Sequence, residues 1–133
     1  MRDNDTTLRR FKELETRYKS LFEGTMELVY ICRPDSRIVS INSYGAELLG
    51  YSSSEELEGI SVVDLYYNPS DREYYDQIMH EQGHIKDFEL ILKKKDGTRF
   101  IGQETSILIK DEDGNPVEYT GIIKDVTERV RNE

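Results

Sequence analysis

The sequence predicts an α+β domain, a five-stranded antiparallel sheet with short helices on one face and an amphipathic helix in front. Three observations carry this expectation. Residues 6–23 contain neither Gly nor Pro and repeat apolar side chains at helical spacing. The middle third is broken into short segments punctuated by Gly, Pro and cap-competent residues. After Gly83 the apolar residues alternate with period two around two turn sequences. Strands at both ends with helices gathered between them place the helices against one sheet face.

In the first helix, Phe11, Leu14, Tyr18 and Leu21 fall at spacings of 3, 4 and 3, the narrow stripe of a coiled-coil seam. Arg9, Arg10, Lys12, Glu13, Glu15, Arg17 and Lys19 occupy the remaining faces. So narrow a stripe must lie on the following domain, pair with a second copy, or do both. Glu27–Pro34 and Arg37–Asn42 are rich in Val, Ile and Tyr and flank Pro34-Asp35-Ser36, which reads as strand, turn, strand. Asn42 to Gly50 reads as a short helix with a capping start and a glycine stop. Ser53 with Glu56, and Ser70 with Glu73, have the spacing of capping boxes. The first opens a short helix, and Ser61 to Tyr67 forms another. The second opens a longer helix that runs to about Gln82 and is closed by Gly83. Asp87–Lys94, Arg99–Lys110 and Val117–Asp125 are the last three strands, joined at Asp96-Gly97 and Asp111–Pro116, and Thr127 to Val130 starts an outgoing helix.

With 133 residues the chain is one domain's worth of sequence. A formal net charge of −9 argues against binding a nucleic-acid backbone, which needs clustered cations, and against adhesion to anionic lipid. A single cysteine, Cys32, excludes an internal disulfide or a thiolate-only zinc site and fits a reducing, cytoplasmic setting. No apolar run approaches the roughly 18–20 residues that span a bilayer. Residues 1–5 lack a signal peptide's apolar core. Any membrane anchor is therefore expected in another part of a parent protein.

Certain words in this order resemble the PAS family of sensory domains. They are Arg17 to Glu23, Arg37 to Asn42, Leu48-Leu49-Gly50-Tyr51, Lys95 to Phe100, Asp111 to Gly114 and, above all, Gly121 to Glu128. The resemblance implies a linker and dimerisation helix at 1–23, a PAS domain at 24–128 and the start of an output helix at 129–133. It implies a non-catalytic input module of a signalling protein such as a histidine kinase or nucleotide-messenger enzyme, dimeric through Phe11, Leu14, Tyr18 and Leu21. Asp125-Val126-Thr127 would couple the last strand to an output domain of the same chain. Asp125 and Thr127 could equally act as a helix cap, and the two roles are compatible.

The resemblance also implies a small-molecule site between sheet and helices. If Phe88, Leu90 and Leu92 face the helices, the family's sheet places Gly102, Glu104, Ser106 and Leu108 beside them, with Tyr119, Gly121 and Ile123 from the last strand. Tyr74 aligns with the haem-ligating histidine of haem-binding members, and Ile78 lies one turn further on. The candidate pocket is thus Tyr74, Ile78, Phe88, Leu90, Gly102, Glu104, Ser106, Tyr119 and Gly121, its two glycines leaving space. A buried Glu104 needs a donor, a proton or water. The alternatives are a filled core, or a shifted strand that turns Gln103 inward.

No cofactor is assigned. Haem is disfavoured because His80 faces elsewhere on the helix and His84 follows the break at Gly83. Flavin is disfavoured because residues 55–67 contain no cysteine and the chain has no tryptophan. Asp111–Asn115 fails as a calcium loop because Ile122 stands where a bidentate Glu is needed. No metal site and no enzyme active site is found. Cys32 is expected to be a small buried hydrophobe. Two functions remain: a sensor of a small ligand, or a ligand-free module that dimerises and aligns its neighbours.

Overall fold

The computed structural model describes the backbone of residues 2–132 and the side chains of residues 5–132. Helix α1 spans Arg2–Gly24, followed by strands β1 (Leu28–Cys32) and β2 (Ile38–Ile41). Helix α2 (Ser43–Leu48), two single 3-10 turns at Ser54–Leu57 and Val62–Leu65, and helix α3 (Asp71–Gln82) fill the middle. Strands β3 (His84–Lys93), β4 (Arg99–Lys110) and β5 (Pro116–Asp125) precede a short helix α4 (Thr127–Asn132). The strands form one antiparallel sheet in the order β2-β1-β5-β4-β3, so the first and last segments of the domain meet at its centre.

The expected α+β architecture is present, and period two explains it. Phe100, Gly102, Glu104 and Ser106 of β4 are buried, whereas Arg99, Thr105 and Ile107 are exposed and Gln103 lies on the outer side. The main core joins Leu28, Tyr30 and Cys32 of β1 to Leu49, Leu57, Val62 and Leu65 from the short helical segments. A smaller cluster, Tyr75, Met79 and Ile85, lies beneath α3. Among the described residues no helix is long and apolar enough to cross a membrane.

Both capping boxes expected from sequence are absent, for a local reason. Neither the Ser53 nor the Ser70 side chain makes a cap hydrogen bond. Ser70 already has helical dihedrals, and the amides of Asp71, Arg72 and Glu73 donate to the carbonyls of Asn68, Pro69 and Ser70. Backbone acceptors therefore satisfy the free N–H groups before a side chain is needed. Helix α1 starts earlier than expected. Strand β3 begins at His84, directly after the left-handed Gly83, and contains a bulge near Asp87, whose φ is 53°.

Asn42 joins three elements. Its Oδ1 accepts from Gly45 N, capping α2, and from Val29 N on β1, while its Nδ2 donates to Phe22 O of α1 and to Glu27 O. All four hydrogen-bonding positions of this fully buried amide are used. Gly45 is required beside it, since a Cβ there would lie 2.7 Å from Leu28 Cγ and 2.8 Å from Asn42 Oδ1. Asn42→Ala removes all four bonds and is expected to cost about 2–4 kcal/mol in a urea titration. A loss below about 0.5 kcal/mol, the ordinary range for a surface change, would show this junction to be dispensable.

Candidate functional site

The inner sheet face carries a chain of polar side chains in contact with the apolar core. Glu104 of β4 is 1% exposed, and the Tyr30 hydroxyl of β1 donates to its Oε2. Strand β5 lies between those two strands, so the Tyr30 ring has to cross it. It crosses at Gly121, its direct partner on β5, where a Cβ would lie 2.6 Å from Tyr30 Cε1. Any side chain at position 121 would push the phenol off the carboxylate. Gly102 is similarly filled, since its Cβ would meet Ile123 Cγ2 at 2.8 Å. Space expected at the two glycines is thus taken up by the protein's own side chains.

Helix α3 contributes two further members. The Tyr75 hydroxyl and Ser106 Oγ of β4 are 2.7 Å apart and share one hydrogen bond. Arg72, one turn earlier, is 5% exposed, and its guanidinium lies 4.3 Å from the Tyr75 ring centroid, a cation–π contact. Its Nη1 donates to the Tyr66 hydroxyl at 3.4 Å and its Nη2 to Ser36 Oγ at 3.2 Å. Arg72 Nε is 3.0 Å from Asp76 Oδ1, but off the N–H axis, so this contact is ionic and not an aligned hydrogen bond. The interior therefore holds one guanidinium and one carboxyl group, set among tyrosines.

Burial dominates the electrostatics. It pushes the Glu104 carboxyl up to about 7, against the opposing pull of Tyr30 and Arg72. The same cause raises Cys32 to about 11 and the hydroxyls of Tyr30, Tyr66 and Tyr75 well above the ordinary phenol range. A cavity of about 10 Å³ adjoins Glu104 and Tyr30, lined otherwise by Leu28, Ile38, Leu92, Ile123 and neighbouring apolar groups. That is room for roughly one water and not for an organic molecule.

At the far end of β5 the chain turns outward through Asp125, Val126 and Thr127. Asp125 Oδ1 accepts both the Thr127 amide at 3.0 Å and the Thr127 hydroxyl at 2.6 Å. That hydroxyl oxygen also accepts the Ile101 amide of β4 at 3.0 Å, and Val126 N donates to Ile101 O at 2.9 Å. Arg129 of α4 lies 3.6 Å from Glu89 of β3. The start of α4 is thus fastened to β4 and β3 as well as to its own strand.

The candidate pocket residues divide. Leu90, Gly102, Glu104, Ser106 and Gly121 are buried, while Ile78, Phe88 and Tyr119 are half-buried against the cluster under α3. Tyr74 is a correction: it is 60% exposed and stacks on the outer side of Phe88, at 5.8 Å between ring centroids. Tyr75 takes the inward position. The signal was available, since Arg72, Tyr75 and Met79 share one helix face at spacings of 3 and 4 and are the buried residues of α3. The charge on Arg72 concealed that face. Tyr30, Tyr66 and Arg72 are the other members that sequence reasoning missed. His80 and His84 are both exposed, and Cys32 is buried in the main core. Among the described residues no group of three or more His, Cys, Asp or Glu could hold a metal. Phe11, Leu14, Tyr18 and Leu21 of α1 are between 50% and 76% exposed, so the stripe does not lie on its own domain.

Comparison with known proteins gives this geometry a family. The chain is 30% identical over 125 residues to a methyl sulfide methyltransferase-associated sensor of Methanosarcina acetivorans, covering 92% of the present chain and 12% of that relative. The chain thus spans only a small part of the relative it matches. Among solved structures, the PAS domain of a protein from Colwellia psychrerythraea superposes with a TM-score of 0.77 at 26% identity, covering 87% of this chain and 98% of the other. A domain of a sensory box sensor histidine kinase/response regulator from Geobacter sulfurreducens superposes with a TM-score of 0.68 at 16% identity, covering 84% and 94%. The family model described as PAS domain matches residues 26–128. The chain belongs to the PAS domain family.

Proposed function

We propose that this PAS domain is the sensory input module of a larger signal-transduction protein and relays the state of its interior to an output domain following α4. The observation that carries this reading is the Thr127 hydroxyl, which bonds Asp125 on β5 and the Ile101 amide on β4 at once. A change in the stagger of these two strands then has to move the first turn of α4. Residues at the ends of elements are where hinge motions are absorbed, and this junction has that position. The similarity to a protein named as a sensor supports the sensory role. The filled interior favours a module that responds through its own buried side chains over one built around a bulky cofactor.

A second reading accompanies the first, because α1 presents an apolar stripe with nothing over it. We propose that Phe11, Leu14, Tyr18 and Leu21 pair with a second copy of the chain, as the a/d spacing suits. Dimerisation would set two output segments side by side, so relay and alignment work together.

Two experiments separate these readings. In Thr127→Val the Ile101 amide loses its acceptor, and its hydrogen exchange is expected to accelerate about five- to tenfold, with α4 opening independently of β4. Unchanged exchange at Ile101 and along α4 would overturn the relay. For the dimer, Leu14→Glu together with Leu21→Glu is expected to shift sedimentation at micromolar concentration towards the monomer. An unchanged profile would remove the coiled seam.

A further inference from the structure

Glu104 is a carboxyl group without a partner cation. It is 1% exposed, and among the described residues no Lys, Arg or His forms an ion pair with it. The nearby guanidinium of Arg72 is committed to Tyr66, Ser36 and Asp76. The titratable and charged groups facing Glu104 are Tyr30 and Cys32 of β1, Tyr66 after the second 3-10 turn, and Arg72 and Tyr75 of α3. Its cross-strand partners Phe88 on β3 and Ile123 on β5 are apolar, and Ser106 is its polar neighbour on β4. The Tyr30 hydroxyl donates directly to it, and the Ser106 hydroxyl beside it also favours the charged form. A bare buried carboxylate is costly, and the neutral acid is the form that such surroundings favour.

The position is as telling as the environment. Glu104 lies three residues along β4 from Ile101, roughly 10 Å of strand, and Ile101 holds Thr127. Its donor Tyr30 rests on Gly121 of β5, four residues before Asp125. A charge appearing on Glu104 tightens the Tyr30 contact, draws on Arg72 and attracts water to the small adjoining cavity. The tightened Tyr30 contact bears on β4 through Glu104 and on β5 through Gly121, two of the strands that hold α4.

We propose that Glu104 is a proton-binding site through which the domain responds to acidity, an inference that names the signal for the relay proposed above and rests on it. The proton moves between bulk water and Glu104, and no other bond changes. The sign of its effect on stability follows from burial. The folded state keeps this proton up to about pH 7, whereas an ordinary carboxyl loses it near 4.5, so the stabilisation is fullest below 4.5 and is lost as pH rises towards 7.

The test uses the whole chain carrying His80→Gln and His84→Gln, so that it contains no imidazole. Carbon-13 NMR of the Glu104 carboxyl between pH 4 and 9 is expected to show an inflection between about 6 and 8, and the amide shifts of Thr127 to Arg131 should follow it. In Glu104→Gln the amide inflection should vanish. In Tyr30→Phe, which keeps the ring over Gly121, the carboxyl inflection should move up by about one unit, because a hydrogen bond to the charged form is gone. That second variant keeps the inference testable if Glu104→Gln does not fold. A Glu104 inflection below about pH 5, the ordinary carboxylate range, overturns the proton site. An inflection near 7 with silent α4 amides supports the proton site and overturns the relay.

Discussion

The hydrogen bond from Tyr30 to Glu104 is the constraint around which the inner face is arranged. A carboxyl group on the inward side of β4 is almost wholly screened from solvent, so a donor from another element stabilises it. The nearest strand, β5, offers none at that height, because Ile123 is its partner there. The donor therefore comes from β1, two strands away, on a side chain long enough to span β5. That reach demands a residue without a Cβ at position 121. Three strands are thereby tied across the middle of the sheet by side chains as well as by the backbone ladder.

Arg72 fits the same logic from the helix side. A guanidinium is weakly hydrated and planar, so it can be buried against aromatic rings at lower cost than an ammonium group. Tyr75 gives it a face, Tyr66 and Ser36 give it acceptors, and Asp76 gives it a counter-charge at the protein surface. Because those partners occupy it, Arg72 does not neutralise Glu104 by contact. The two buried ionisable groups thus have separate partners, and a small cavity adjoins Glu104.

Much of the fold was legible because period two and period 3.6 are strong signals in this chain. Every strand lies close to its expected place, and Gly102, Glu104 and Ser106 of β4 are buried as the family resemblance implies. The site was harder to read. Tyr74 and Tyr75 are adjacent, so an error of one residue in helix phase exchanges an exposed ring for a buried one. Arg72 reads as a surface residue on composition, and only three-dimensional packing reveals the aromatic cage around it. Gly102 and Gly121 suggested room, whereas rotamers of Tyr30, Leu92 and Ile123 fill it, and rotamers are not written in spacing. The capping boxes failed because a preceding turn of backbone supplied acceptors first. For α1 the residues allowed several burial sites, and the structure removes one of them by leaving the stripe uncovered.

The way α1 is fastened has a mechanical consequence. Its last turn is held through Phe22 O to Asn42, with Glu23 reaching the Ser43 amide, while the stripe further up the helix stands clear of the domain. A rod of 23 residues is about 35 Å long, so a tilt of about 5° at that anchor sweeps its far end through roughly 3 Å. Asn42 thus sits at a fulcrum, where sub-ångström adjustments between β1 and α2 are magnified into displacements large enough to change which side chains meet at the distant tip.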